Sequence, residues 1–231
     1  MALSIVFPAY NEELNVENSV HQALAYLKDK EGEVIVVNDG STDRTAELLE
    51  GLVRRFPGRV RAIHHAQNRG YAPTLRDGFL AAKGDWVFYT DADNQFVLGE
   101  IDRLTALSEG ADLVIGYRAD RQDPAFRKFT ARIYNSMVHF VFGLRGVRDI
   151  DCAFKLFRRS VFNRIQIESR HFLIDAEILI KAQRLGMVIR ETAVTHLPRK
   201  SGRSTVKPKH VLLTLIGLAR LYWRVKTRPL T

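Results

Sequence analysis

Short, almost continuous apolar runs alternate with longer mixed segments over roughly the first 116 residues. Leu3-Ser4-Ile5-Val6-Phe7 and Val34-Ile35-Val36-Val37 have the unbroken hydrophobicity of strands covered on both faces of a parallel sheet. The pattern predicts strands near 3–7, 33–37, 59–64, 85–90 and 112–116, and helices near 13–28, 43–55, 71–82 and 98–108. Such alternation, with no internal repeat or linker, predicts an α/β sheet flanked by helices. Gly40 permits a tight turn, and Ser41 or Thr42 is expected to cap the helix that starts near Arg44.

Two later stretches are apolar at helical spacing. From Pro124 to Leu144, Phe126, Phe129, Ile133, Met137, Phe140, Val141 and Leu144 form one face, and Tyr134, Val138 and Phe142 a second. Arg127, Lys128, Arg132, Arg145 and Arg148 flank them, so the stretch predicts a helix that faces either the core or a lipid surface. Val211 to Val225 is more apolar still, with His210, Thr214, Gly217, Arg220 or Leu221, and Arg224 in a narrow polar stripe. At about 1.5 Å per residue it spans ~22 Å, short of a bilayer core of about 30 Å. A basic amphipathic C-terminal helix lying in the interface is expected, with Tyr222 and Trp223 at headgroup level. A membrane subunit, a second copy of the chain or the protein's own core are the alternative covers for it.

Charge sharpens this picture. The chain of 231 residues carries a formal charge of +9, and Glu191 is its last acid. Nine bases follow, which leaves residues 1–191 with 26 bases against 26 acids. The excess is therefore confined to the C-terminal end, where its apolar company favours anionic headgroups over nucleic acid as the partner. The single Cys152 excludes an internal disulfide and a Cys-based zinc site, and fits a reducing compartment. No basic region precedes the first strand, so no signal peptide is expected. Neither a Gly-x-x-x-x-Gly-Lys-Ser/Thr loop nor a Gly-x-Gly-x-x-Gly turn is present, which argues against P-loop and dinucleotide-binding chemistry.

The candidate chemistry sits at strand ends. Asp91-Ala92-Asp93 follows Trp86-Val87-Phe88-Tyr89, and two carboxylates so spaced can both reach one hard divalent cation. Such a cation can offset the charge of a departing nucleotide diphosphate. Tyr10 to Glu12, Asn38 to Asp43 and Asp91 to Gln95 all follow predicted parallel strands, and ligands of open α/β sheets bind outside the carboxyl ends of those strands.

Phe7-Pro8-Ala9-Tyr10-Asn11-Glu12, Val36-Val37-Asn38-Asp39-Gly40-Ser41-Thr42-Asp43, Asn68-Arg69-Gly70 and Asp91-Ala92-Asp93-Asn94-Gln95 together resemble the family-two inverting glycosyltransferases of GT-A fold. The dolichol-phosphate mannose synthase and polyprenyl-phosphate glycosyltransferase branch is the nearest likeness, over roughly residues 1 to 205. The resemblance implies a Rossmann-like mixed, mainly parallel sheet. It also implies a nucleotide-sugar half at 1–116, an acceptor half at 117–205, and a C-terminal helix at 206–231. It assigns donor binding to Pro8, Ala9, Tyr10, Asn11, Glu12, Val37, Asp39, Arg69, Asp91, Ala92, Asp93 and Arg203. Asp91, Asp93 and Gln95 would meet a Mg2+ or Mn2+ ion.

On the acceptor side, Arg118 and Arg132 match the arginines that hold a polyprenyl or dolichyl phosphate, as guanidinium geometry suits. Asp149-Ile150-Asp151-Cys152-Ala153-Phe154-Lys155 resembles the branch's Asp-containing acceptor segment, with Cys152-Ala153 and Lys155 departing from its commoner residues. Asp149, Asp151 and Asp175 are the candidate bases should the acceptor be a hydroxyl. His196 is read as a hydrogen-bonded strand-end histidine. Arg203 and Ser204 resemble a loop that closes over the donor diphosphate; Thr205 stands where the family usually carries Lys, a charge that Lys200 or Lys207 would supply.

The expected activity is a metal-dependent inverting hexosyl transfer, mannose or glucose, to a lipid phosphate by a peripheral protein at the cytoplasmic face of a membrane. A transferase using a soluble or glycan hydroxyl, and a non-catalytic sugar-nucleotide-binding subunit, are the alternatives.

Overall fold

A computed structural model describes residues 1–119, 125–169, 173–198 and 209–227, with the backbone alone at 125–127, 209–213 and 215. The N-terminal half alternates as the apolar pattern predicts. It runs β1 (Leu3–Ala9), α1 (Val16–Tyr26), β2 (Gly32–Asn38), α2 (Thr45–Arg55), β3 (Val60–His64), α3 (Tyr71–Ala81) and β4 (Trp86–Thr90). The helix expected at 98–108 is shorter: a 3₁₀ turn at Leu98–Glu100 leads into α4 (Ile101–Thr105), and β5 (Leu113–Arg118) follows. Then come α5 (Ala125–Phe142), β6 (Phe154–Arg158), α6 (Val161–Arg164), α7 (Ile174–Arg184), β7 (Ile189–Val194) and α8 (Lys209–Thr227).

The strands form one sheet in the order β3-β2-β1-β4-β6-β5-β7. β6 runs antiparallel to both of its neighbours, and every other pairing is parallel. The parallel order places the C-terminal ends of β1, β2 and β4 side by side, where Ala9 pairs with Asn38 and Val6 with Tyr89. Inverting β6 brings the start of that strand, at Phe154, opposite Thr90 at the end of β4. The 149–153 segment therefore arrives at the same edge as Asp91.

Burial of both sheet faces explains the continuous apolar runs. Ile5, Val6, Val34, Ile35, Val36, Val37, Val87 and Phe88 have no exposed surface. α3 lies close against β1 and β2, because a Cβ at Gly78 would stand 2.5 Å from a Val6 methyl. α8 docks through Leu218, Leu221 and Val225, which are buried, and Arg184 donates to the Val225 carbonyl at 2.9 Å. Tyr222 of α8 meets Phe142 of α5 edge-on at 6.0 Å. Trp223 points outward at 66% exposure. Among the described residues no helix is long and apolar enough to cross a membrane.

Candidate active site

Three loops at the sheet edge lace together. Asn11, with its backbone in the left-handed region at φ 56°, accepts from the Thr42 N–H at 2.8 Å, while its own N–H donates to Ser41 Oγ at 2.9 Å. Asp43, rather than the expected Ser41 or Thr42, closes the start of α2: its Oδ1 accepts from the Thr45 N–H at 3.0 Å. Ser41 and Thr42 are instead engaged across the cleft with Asn11, which is why they do not cap. Asn94, also left-handed at φ 58°, accepts from Ser19 Oγ at 3.0 Å and Gln22 Nε2 at 3.2 Å. Ser19 also donates to the Ala92 carbonyl. Asparagine tolerates this conformation better than most residues, and the bonds hold the loop that presents Asp91 and Asp93.

Asp39 is buried at the end of β2. Its carboxylate accepts from the Arg69 N–H and the Gly70 N–H, both at 2.8 Å, and meets His65 Nδ1 at 2.7 Å. His65 Nε2 in turn lies 3.1 Å from Asp77, which also takes Arg69 Nη1 at 2.7 Å. Asp39 thus shapes the 65–70 turn, and Arg69 is ion-paired to Asp77. Gly70 opens α3 at φ 94°, a conformation side chains resist. Pro8 and Ala9 close β1, and Pro8 pairs with Val37. Val37 has no exposed surface, so of the predicted donor residues it is the one the fold holds furthest from solvent. Tyr10 is half-buried at this edge. Glu12 receives Asn15 Nδ2 at 2.6 Å, and its N–H donates to Thr45 Oγ1.

At the end of β4 the two acids oppose each other. Burial and the neighbouring Asp93 charge push the Asp91 carboxyl up to about 7, although Tyr71 donates to it at 2.9 Å. Gln95 is pinned across the cleft, its side-chain amide donating to the Leu197 carbonyl at 3.0 Å. His196, next to Leu197, is buried edge-on to Phe96 at 5.1 Å and shares a β-bridge with it. Among the described residues no group of three or more His, Cys, Asp or Glu is placed to hold a metal ion. The pair Asp91 and Asp93 nevertheless fits a hard cation, since a divalent charge would relieve the repulsion that holds a proton on Asp91.

The acceptor candidates separate into paired and unpaired groups. Arg118, at the end of β5, forks onto Asp149 with Nε–Oδ2 2.7 Å and Nη2–Oδ1 2.8 Å. Burial works against that guanidinium, but the Asp149 bonds and charge outweigh it and push its pKa up. Asp175 is bound by Lys155 Nζ at 2.7 Å and by the Tyr89 hydroxyl. Asp151 has no ion-pair partner among the described residues. Its residue keeps surface exposure, yet protein crowds its carboxyl, and that desolvation with the Asp175 charge pushes it up to about 7. Arg132 stands exposed on α5. Cys152 is buried, and burial pushes its thiol up to about 12, as befits a structural thiol. Lys200, Arg203, Ser204, Thr205 and Lys207 lie outside the described residues.

Sequence reasoning passed over His65, Tyr71, Asp77 and Tyr89. Lys155 carried a visible signal: one cation inside Ala153-Phe154-Lys155-Leu156-Phe157 must find a buried anion.

The Glycosyl transferase family 2 model matches residues 4–166, and the chain belongs to this family. It is 32% identical over 216 residues to a dolichyl-phosphate beta-glucosyltransferase of Drosophila melanogaster, covering 84% of this chain and 66% of that protein. It is 33% identical over 220 residues to an undecaprenyl-phosphate 4-deoxy-4-formamido-L-arabinose transferase of Edwardsiella ictaluri, covering 94% of this chain and 65% of the relative. The chain therefore spans just under two thirds of the length of these curated relatives. Among solved structures, glucosyl-3-phosphoglycerate synthase from Mycobacterium tuberculosis, in complex with Mn2+, uridine diphosphate and phosphoglyceric acid, superposes with a TM-score of 0.73 at 21% identity. That alignment covers 99% of this chain and 79% of the synthase, and establishes the shared fold.

Proposed function

We propose that this chain is an inverting glycosyltransferase that moves a hexose, mannose or glucose, from a nucleotide diphosphate sugar to a polyprenyl or dolichyl phosphate. The observation that carries the reading is the meeting, at one sheet edge, of the Asp91–Asp93 pair with the Arg118–Asp149–Asp151 segment brought in by the inverted β6. The names of the relatives support a lipid-phosphate acceptor. Residues 1–116 serve the donor and 117–205 the acceptor, followed by a C-terminal segment that carries α8 (Lys209–Thr227).

In this reading the acceptor phosphate oxygen attacks the anomeric carbon from the face opposite the diphosphate. The new carbon–oxygen bond forms as the bond to the diphosphate breaks, and the electron pair leaves on the terminal phosphate oxygen. An anionic acceptor needs no strong general base. Pro8, Ala9, Tyr10, Asn11, Glu12, Val37 and Asp39 hold the nucleoside, and Arg118 and Arg132 orient the incoming phosphate and offset its repulsion from the donor. Asp91 and Asp93, with Gln95 beside them, would hold Mg2+ or Mn2+, which offsets the charge left on the diphosphate. A sugar-hydroxyl acceptor is favoured by one feature, Asp151, whose raised carboxyl suits a general base.

The test is transfer of radiolabelled sugar from a panel of GDP- and UDP-sugars to undecaprenyl phosphate in detergent with Mg2+ or Mn2+. Product from one donor is expected. Labelling of a soluble hydroxyl acceptor with none of the lipid phosphate would overturn the acceptor assignment.

Peripheral membrane docking belongs to the same reading. Phe129, Ile133 and Phe140 of α5 and Ile216 and Trp223 of α8 are exposed, Phe140 at 91%. Lys128 and Arg132 share α5 with the first three, Arg145 follows it, and Arg220, Arg224 and Lys226 share α8 with the last two. Phe140→Glu with Trp223→Glu is expected to reduce co-sedimentation with anionic vesicles by at least about tenfold. Unchanged sedimentation would remove this surface from the account.

A further inference from the structure

We propose that the Tyr134 hydroxyl is an acceptor-binding group that donates a hydrogen bond to the phosphate of the prenyl acceptor, an inference that rests on the transfer reading above. The Tyr134 ring packs against the core from α5, while its hydroxyl oxygen is buried and has no hydrogen-bond partner among the described residues. Buried polar atoms are almost always satisfied, so an unpaired one in a folded protein calls for an explanation, and a partner that arrives with the substrate supplies one.

The surroundings identify that visitor. α5 is tied to the acceptor segment by Asn135 Nδ2, which donates to the Arg148 carbonyl at 3.2 Å. Immediately beyond Arg148 stand Asp149, forked to Arg118, and Asp151. Tyr134 is near enough to Asp151 and Asp175 that, after burial itself, their charges hold its phenol well above the usual tyrosine range. The hydroxyl thus stays protonated and acts as a donor. Asp149 and Asp175 are already neutralised by Arg118 and Lys155, so an entering anion meets less negative charge than the number of acids suggests. A fixed donor on the helix tied to the Arg118–Asp149 segment fits an anionic phosphate oxygen better than a neutral hydroxyl, which could instead use Asp151, a carboxylate with no ion-pair partner among the described residues.

Tyr134→Phe in the full chain tests this, with saturating donor and two acceptors: undecaprenyl phosphate in detergent and a water-soluble short-chain prenyl phosphate. Acceptor KM is expected to rise by about 10- to 100-fold with both, the loss typical of a hydrogen bond to a charged group. Donor KM should be unchanged. Tm should hold or rise, since the substitution removes an unpaired buried hydroxyl and breaks no protein bond. Wild-type activity with an unaltered acceptor KM in the variant would overturn the role of Tyr134 alone, as would a KM change confined to the long-chain lipid. A fall in Tm without a KM change would show a structural hydroxyl and also overturn it. Wild type that labels neither phosphate would instead defeat the acceptor assignment on which the inference rests.

Discussion

Asp93→Ala should lower sugar transfer by about 100- to 10,000-fold while making the metal-free protein more stable at neutral pH. The first effect follows if the Asp91–Asp93 pair holds a cation worth several kcal/mol to the leaving diphosphate, at about 1.36 kcal/mol per tenfold in rate. The second follows from the repulsion within the pair. Burial and Asp93 move the Asp91 carboxyl from its ordinary 3.8 to about 7. Between about pH 4 and 7 the folded chain therefore keeps a proton that the unfolded chain releases, so stability falls as pH rises through that window. Asp151, also pushed up to about 7, adds to the same slope. Removing Asp93 takes away part of the upward push on Asp91, flattening the slope and raising the apo Tm at pH 7–8, at about 2–4 °C per kcal/mol for a chain of this size. Mn2+ competes with the retained proton, so it should stabilise wild type more at pH 8 than at pH 5, and the variant little at either. Thermal unfolding at the two pH values, with and without Mn2+, reads all of this beside the transfer assay. A variant that keeps transfer within tenfold of wild type, or responds to Mn2+ as wild type does, would remove the pair from the cation site.

The strands that position this pair were legible because a strand buried on both faces has few options besides Val, Ile, Leu and Phe. β1, β2 and β4 announce themselves in that way, and the polar residues after them mark the edge where a ligand sits. β6 was harder to read as structure. Its five residues hold a lysine, and its inversion within an otherwise parallel sheet depends on the path of α5 and the 143–153 connection, which no local periodicity encodes. The helix near 98–108 was over-read for a similar reason: Leu98-Gly99-Glu100 tightens into a 3₁₀ turn before the short α4.

Within the site, residue types were easier to foresee than their partners. Asp39 was visible as a strand-end carboxylate. Its grip on the Arg69 and Gly70 amides was not, because it depends on the 65–70 turn folding back over β2. Arg69 was read as a donor-binding cation, and its ion pair with Asp77, eight residues on, was not foreseen. The same distinction sorts the acceptor acids. By sequence Asp149, Asp151 and Asp175 were equivalent; their partners make two of them halves of ion pairs, while Asp151 has none among the described residues.

Lys155→Met should cost about 3–5 kcal/mol of stability, the usual penalty for removing one partner of a buried ion pair. Lys155 has no exposed surface. Its ammonium binds Asp175, the Cys152 carbonyl and, at 3.4 Å, the Tyr89 hydroxyl, while Tyr89 also donates to Asp175. Methionine fills nearly the same volume, so little of the loss comes from a cavity. What it leaves behind is a carboxylate that is 5% exposed and, among the described residues, held by the Tyr89 phenol alone. Urea unfolding should show the midpoint falling with the slope unchanged. Adding Asp175→Leu to Lys155→Met should recover most of the loss, because removing both charges costs far less than stranding one. A single variant as stable as wild type would mean that the buried pair contributes nothing to stability, and that any role of Lys155 lies in transfer. The double variant separates these roles. Tyr89 is two residues before Asp91 on β4, so if stability returns in Lys155→Met/Asp175→Leu while transfer stays low, the buried pair also positions the loop that carries the donor site.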